Sequence, residues 1–472
     1  MRFRLSPLLA AVTLGLAACS QQRSVTSPAV TSPAATSTPP VKTPAAGATG
    51  LPIPSVVLNG NIPVVIPPHN PSLSPTDSRP FFDVFSWQSF IALNWPALAG
   101  QPGVPNQPNN PQVFQTAPNG TPVVWTSYKT TDDLFGTGDQ RPLPWSAGPT
   151  PTSVAGAKPG MAVFKRVTKA STPEQLKDTQ EAFSFPLVDQ NSAYARYEVR
   201  YNQPFYDFVR GVDSVPSSWL YLLKNLAPRE PVTMPSAVAP STVGALMVKA
   251  AWREMTPTDI QGNRYYIIQA MVADPVTGVY TQKSMGLVGL HIAQKLQAFP
   301  EWIWSSFEQV DNVQRGPGST PSTPISFNNG TNNPATIGGW ANRPASKVPV
   351  ANPSPVQVTR FNPIPNTPTG ASTQDLNSAY QQLLKGTVWQ FYELVITQWP
   401  SNPTNFVLIE NGGIYPANSG GAFPANGCTN TTMETYFQSA SDAAGSGGNS
   451  CMSCHYRAGQ ADYSWGLLRR AH

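Results

Sequence analysis

The chain has 472 residues, room for one large domain or two ordinary ones, and a hydrophobic share of 40% that fits a globular protein. Its 52 prolines exclude an all-helical bundle, because interior proline breaks helices. Charged residues make up only 12% and the net charge of +5 is mild, with no basic stripe, which excludes a nucleic-acid grip and leaves at most weak complementarity to an acidic partner.

Arg2 and Arg4 precede an apolar run from Leu5 to Leu16, the pattern of an export leader and too short to span a membrane as a mature helix. The run ends in Leu16-Ala17-Ala18-Cys19, which resembles the lipobox of bacterial lipoproteins. That resemblance implies cleavage after residue 18, lipidation of Cys19 and, with Ser20 following, sorting to the outer membrane facing the periplasm. Acyl chains there would anchor the protein without spanning the bilayer. Residues 20–50 hold only small, polar and proline-rich sequence and read as a disordered tether.

Ordered structure is expected from "TDSRPFFDVFSWQSFIALNWP" (76–96), where Phe82, Phe85, Ser89 and Ala92 share a helical face between a Pro80 start and a Pro96 stop. The stretches 122–129, 193–202, 243–254, 264–273, 283–296 and 301–311 alternate and are rich in β-branched and aromatic residues, which predicts antiparallel strands. The last two are joined by "QAFP" as a hairpin. Residues 312–371 hold eleven prolines between Pro317 and Pro368 and form either a flexible excursion or a wrapping loop. A capped helix follows at 372–386, with Leu376, Ala379, Tyr380 and Leu383 on one face and Gly386 closing it. A buried strand at 387–400, a short helix at 428–441, a flexible loop at 442–450 and a terminal helix at 461–472 complete the series.

The C-terminal region carries Cys451-Met452-Ser453-Cys454-His455. This CxxCH spacing is that of c-type haem attachment, in which both thiols add to the haem vinyl groups and the histidine becomes the proximal iron ligand. A zinc half-site would need about four ligands, and the only other mature thiol besides Cys19 is Cys428. Covalent attachment of haem c also suits an exported chain. The distal ligand stays open between Met433, in the helix before a glycine-rich loop, and His291, which shares a strand face with Gly289 and Ala293; an iron without a protein ligand is the third alternative. Met452 lies inside the motif and cannot reach over the ring, His69 sits in a proline-bound loop, and His472 is the terminal residue. With the other cysteines engaged, Cys428 has no internal partner and reads as a buried inert thiol, an intermolecular bridge or an iron-directed thiolate being outside alternatives. Glu308, Asp311 and Asn312, opposite Lys249 and Arg253, form a candidate polar site or an ordinary solvated strand edge.

The blocks "WQSFIALNWP", "YEVRYN", "KAAWRE", "GLHIAQK", "WIWSSFEQVDN" and "TNTTMETYFQ" before "CMSCH" resemble a family of exported bacterial cytochrome c proteins across most of residues 80–472. The resemblance implies haem binding and redox work without assigning a substrate. It carries Cys451 and Cys454 over as thioether ligands and His455 as the proximal ligand, but no distal residue.

The expected fold class is α+β and β-rich, an antiparallel sheet or sandwich-like domain with a small helical C-terminal haem c segment packed on it. The expected organisation is a leader over 1–18, a lipidated cysteine and tether over 19–75, a β-rich domain over 76–311, an irregular segment over 312–371 and a haem-binding region over 372–472. Three functions fit. The first is a membrane-anchored monohaem cytochrome passing electrons to a periplasmic or membrane redox partner. The second is a haem enzyme or a gas- or peroxide-binding protein with an open distal site, where His291 or Arg253 would polarise the ligand. The third is a β-rich binding protein in which haem is mainly structural. Too little apolar sequence follows residue 399 to enclose haem alone, so any sixth ligand is expected upstream of the motif.

Overall fold

A computed structural model describes residues 57–68, 72–135, 141–147, 154–158, 160–165, 186–211, 232–313, 325–329, 342, 349–366, 371–401, 422–425, 427–438 and 450–470. The leader, Cys19, residues 20–50 of the tether, His69 and His472 lie outside them. Residues 57–68, expected within the tether range 19–75, are instead packed on the fold: Val64 is buried, Leu58 and Ile62 lie against the core, and the Gly60 amide donates to the Pro108 carbonyl at 2.7 Å. The strands in chain order are β1 (Lys129–Thr130), β2 (Ala162–Phe164), β3 (Arg196–Tyr201), β4 (Leu246–Glu254), β5 (Ile267–Ala273), β6 (Tyr280–Leu296), β7 (Phe299–Gln309), β8 (Tyr392–Pro400) and β9 (Ala422–Phe423). They form one sheet in the order β1-β3-β4-β6-β7-β8-β9, with β5 beside the first half of β6 and β2 parallel to β5. All other pairings are antiparallel, so the protein is α+β and dominated by an antiparallel sheet. No helix of the described residues is long and apolar enough to cross a membrane.

Strand β6 organises the sheet because its 17 residues serve two partners on one edge. β5 ends its pairing at Gly286 and β7 begins at Gly289. The groups in the gap are satisfied singly, as buried backbone must be. The Leu287 amide donates to the Tyr266 carbonyl at 2.9 Å. Its carbonyl accepts the Tyr392 hydroxyl at 2.9 Å, and Asn312 donates to the Val288 carbonyl at 2.6 Å. The β6–β7 hairpin closes at Leu296 and Phe299, leaving only Gln297 and Ala298 in the turn.

One face of the sheet is covered by helix Pro75–Leu93. It starts a full turn before the expected Pro80, because Ser74 caps it by accepting from the Asp77 amide and Pro75 occupies the tolerant first turn. Pro80 is then interior and forfeits one backbone bond. Phe82 stacks on Trp399 with centroids 3.9 Å apart, while Trp87 stacks on Tyr380 of helix Thr373–Leu383 at 4.8 Å. The helix is therefore buried on both flanks. Its small polar residues form the seam with the sheet: Ser86 shares hydrogen bonds with Ser305 and Thr397, and Ser89 donates to Gln294.

Two expected elements take another form. Residues 122–129 were expected as a strand, but Val124–Ser127 is a 3-10 turn that leads into β1. Thr126 holds it by accepting from the Val123 amide and donating to the Val123 carbonyl. The helix expected at 428–441 is instead a turn followed by the 3-10 segment Thr435–Phe437. Asn430 accepts from the Thr432 amide and Thr435 donates to the Thr431 carbonyl, side-chain bonds that compete with helix formation.

Described parts of 312–371 wrap the second face rather than leave it. Val358 pairs with the Phe327 carbonyl, and both side chains are buried with Met433 and Tyr436. Because β7 pairs with β8, the ranges 76–311 and 372–472 contribute to the same sheet.

Candidate functional site

The second face of the sheet presents Lys249 on β4, Gly289, His291 and Lys295 on β6, Trp304, Ser306 and Glu308 on β7, and Gln398 on β8. The C-terminal arm is pinned there by side chains of the sheet. Gln398 donates to Ser450 Oγ at 2.7 Å and accepts from the Met452 amide at 2.8 Å, gripping the start of helix Cys451–His455. Met452 is buried in the main core. Downstream, Asp462 adopts a left-handed conformation, and its carboxylate accepts from Lys295 at 2.7 Å, Trp302 at 3.2 Å and the Met234 amide at 2.7 Å.

That turn fixes the histidine of the motif. It carries the Tyr463 carbonyl to 2.8 Å from His455 Nδ1. A carbonyl only accepts, so Nδ1 holds the proton in this contact. The His455 ring also lies against Trp304, with centroids 4.3 Å apart.

His291 faces the same side, between Lys249 and Ser306 on the neighbouring strands. Its Nε2 is buried and has no hydrogen-bond partner among the described residues; Glu434 Oε2 is 3.5 Å away. Burial first, then the nearby charges of Lys249 and His455, push its pKa well below the usual imidazole range, so the ring is neutral. Met433 is fully buried and packs with Tyr436 and Val288. Gly289 explains its own small size: a Cβ there would lie 2.3 Å from Thr432 Oγ1 and 3.4 Å from Met433 Cε. The strand face beside His291 at Gly289 is thus covered by the 430–433 turn.

Cys428 is not isolated. It is 3% exposed in a pocket with Ile364, Val395 and Ile396, and the half-buried Cys451 packs against it. The neighbouring Cys428 thiol, and then burial, push the Cys451 pKa well above the ordinary thiol value, while Cys428 itself donates to the Pro424 carbonyl at 3.7 Å. No disulfide joins Cys428, Cys451 and Cys454 among the described residues.

The polar site expected from Glu308, Asp311, Asn312, Lys249 and Arg253 does not assemble. Glu308 pairs with Arg360 and Asp311 with Arg264. Arg253 is locked between Asp189 and Asp259 and lies over the Tyr265 ring, so it is held away from any ligand. Asn312 serves the β6 backbone.

The donor set suits a covalently attached haem. Two thiols three residues apart lie on one helical turn that ends in an imidazole whose Nδ1 is already committed, as second-shell bonding of iron ligands requires. Upstream on the same face lies His291, whose buried Nε2 makes no hydrogen bond among the described residues and has Glu434 Oε2 3.5 Å away. Among the described residues no group of three or more His, Cys, Asp or Glu side chains is arranged to hold a bare metal ion. Sequence reasoning missed Gln398, Asp462 and the Tyr463 carbonyl; only the strand alternation around Trp304 carried a signal. No protein-family model, curated protein or solved structure matches the chain.

Proposed function

We propose that the chain is a membrane-anchored monohaem c-type cytochrome that transfers electrons in the bacterial envelope, as its likeness to exported cytochrome c proteins also implies. The observation that carries this reading is the His455 Nδ1 bond to the Tyr463 carbonyl, which prepares Nε2 for iron within a CxxCH turn. Cys451 and Cys454 would hold the haem c covalently, and His455 would be its proximal ligand. His291 would be the distal ligand in preference to Met433, because its buried Nε2 makes no hydrogen bond among the described residues, Glu434 Oε2 lying 3.5 Å away, whereas the thioether is spent in packing. When bound, haem supplies a one-electron iron couple whose potential depends on its axial ligands and burial.

The protein's own part is positioning. Gln398 and Asp462 fix the two ends of the attachment segment to the sheet, and Trp304 limits rotation of the His455 ring. The neutral state of His291 supports ligation, since a protonated imidazole has no lone pair to give. Lipid on Cys19 would hold the protein at the outer membrane facing the periplasm, where a soluble or membrane redox partner exchanges the electron.

Ferric and ferrous absorption spectra of the wild type, His291→Ala and Met433→Ala test the reading. The wild type is expected to be low-spin, and His291→Ala to become high-spin and bind carbon monoxide, while Met433→Ala keeps the wild-type spectrum. A high-spin wild type that binds cyanide or carbon monoxide readily would favour the open-site enzyme or gas-binder instead.

A further inference from the structure

We propose that Cys428 and Cys451 form a reversible disulfide in the haem-free chain, which withholds Cys451 from haem attachment until it is reduced. The consequence for haem rests on reading 451–455 as the attachment motif; the bridge itself does not. The geometry supplies the pair. Cys428 is almost fully buried in an apolar cluster with Ile364, Val395 and Ile396, and Cys451 packs against that same cluster. A bridge between them would bring the two sulfurs to about 2.05 Å. Cys454, the other nearby thiol, lies in the same helical turn as Cys451.

The oxidant is a small disulfide such as glutathione disulfide. One thiol loses its proton and attacks a sulfur of the oxidant, releasing one thiol and leaving a mixed disulfide. The second protein thiol displaces the remaining half, so two protein thiols are oxidised by two electrons and one disulfide becomes two thiols. A dithiol reductant reverses both steps. The raised pKa of Cys451 keeps its thiolate scarce, so the exchange is slow at neutral pH and faster in alkali. In an oxidising envelope, the bridge would shield Cys451 from irreversible oxidation while haem is absent.

The full haem-free chain, made in a host without haem-attachment machinery, is incubated with glutathione disulfide at alkaline pH, alkylated and digested without reductant. Mass spectrometry is expected to find peptides of Cys428 and Cys451 joined, with Cys454 alkylated, and a subsequent reconstitution with haem to yield several-fold less thioether product than the reduced chain. Cys428→Ser should abolish the bridge and remove that difference. Dominance of a Cys451–Cys454 bridge, or alkylation of all three thiols, would overturn the inference. A chain that accepts haem but never bridges refutes this inference alone; a chain that bridges but never accepts haem refutes the cytochrome reading alone.

Discussion

Asp462 is the residue on which the geometry of the motif most depends, since its carboxylate neutralises the buried Lys295 and its left-handed backbone turns the chain toward His455. Removing one partner of a buried ion pair typically costs about 3–5 kcal/mol, because the other charge stays desolvated. Asp462→Ala is therefore expected to lower the urea midpoint sharply, and Asp462→Asn less so, because the amide keeps an acceptor for Trp302 and Lys295. Equal midpoints for wild type and Asp462→Ala in urea titrations would show that Lys295 finds another counter-charge. His291 gives a prediction of opposite character. Its side chain keeps 21% exposure and its Nε2 makes no hydrogen bond among the described residues, so His291→Ala is expected to leave stability within about 1 kcal/mol while changing the ferric spectrum.

At the scale of elements, the segment 430–433 is laid directly on β6 through Gly289. Gly289→Ala would drive a methyl into Thr432, so the turn or the strand must shift, and overpacking of this kind costs about 1–3 kcal/mol. Hydrogen exchange of the Thr432 and Met433 amides should accelerate in that variant while the amides of helix Pro75–Leu93 on the opposite face keep their protection. Uniform acceleration on both faces would mean that the turn is not a separate unit. Much of the element order was legible in the sequence: alternation marked the strands, and 372–386 read as a capped helix, whose start the structure closes with the reciprocal capping-box bonds of Ser372 and Asp375. What misled was polar side-chain chemistry. Thr126 and Asn430 bond their own backbone neighbours, and apolar patterning carries no record of that choice.

For the whole molecule, the two faces of the sheet divide the labour. The helix-covered face carries stability and holds Asp83, a fully buried carboxyl whose pKa burial raises to about 6 despite hydrogen bonds from Thr373 and Thr397. Burial likewise raises Glu301 on β7 to about 7. A carboxyl with a raised folded pKa stabilises the fold fully below its unfolded value and loses that contribution as pH climbs through the folded one. Thermal stability should thus decline between about pH 4 and pH 8, with Asp83 accounting for up to roughly 3 kcal/mol. Asp83→Asn should raise Tm at pH 8 and leave it nearly unchanged at pH 4, and a variant less stable at both would contradict that assignment. The other face holds the candidate site, of which the sequence displayed the motif itself but little of its setting. Cys451, Cys454 and His455 are adjacent in the chain, whereas Gln398 and His291 reach the same place only through the pairing of β6, β7 and β8. The thiol contact between Cys428 and Cys451 arises in the same way: Cys428 joins Val395 and Ile396 of β8 in one pocket, and the Gln398 grip brings Cys451 onto it.

The central claim is that this face carries one covalent haem. The full chain, expressed in a bacterial host that attaches haem c, should show the intact mass of one added haem. Its denatured pyridine spectrum should be that of a haem with both vinyl groups saturated, and Cys451→Ala with Cys454→Ala should lose the added mass. An unmodified mass for the wild type in that host, with a positive-control cytochrome matured alongside it, would contradict the account.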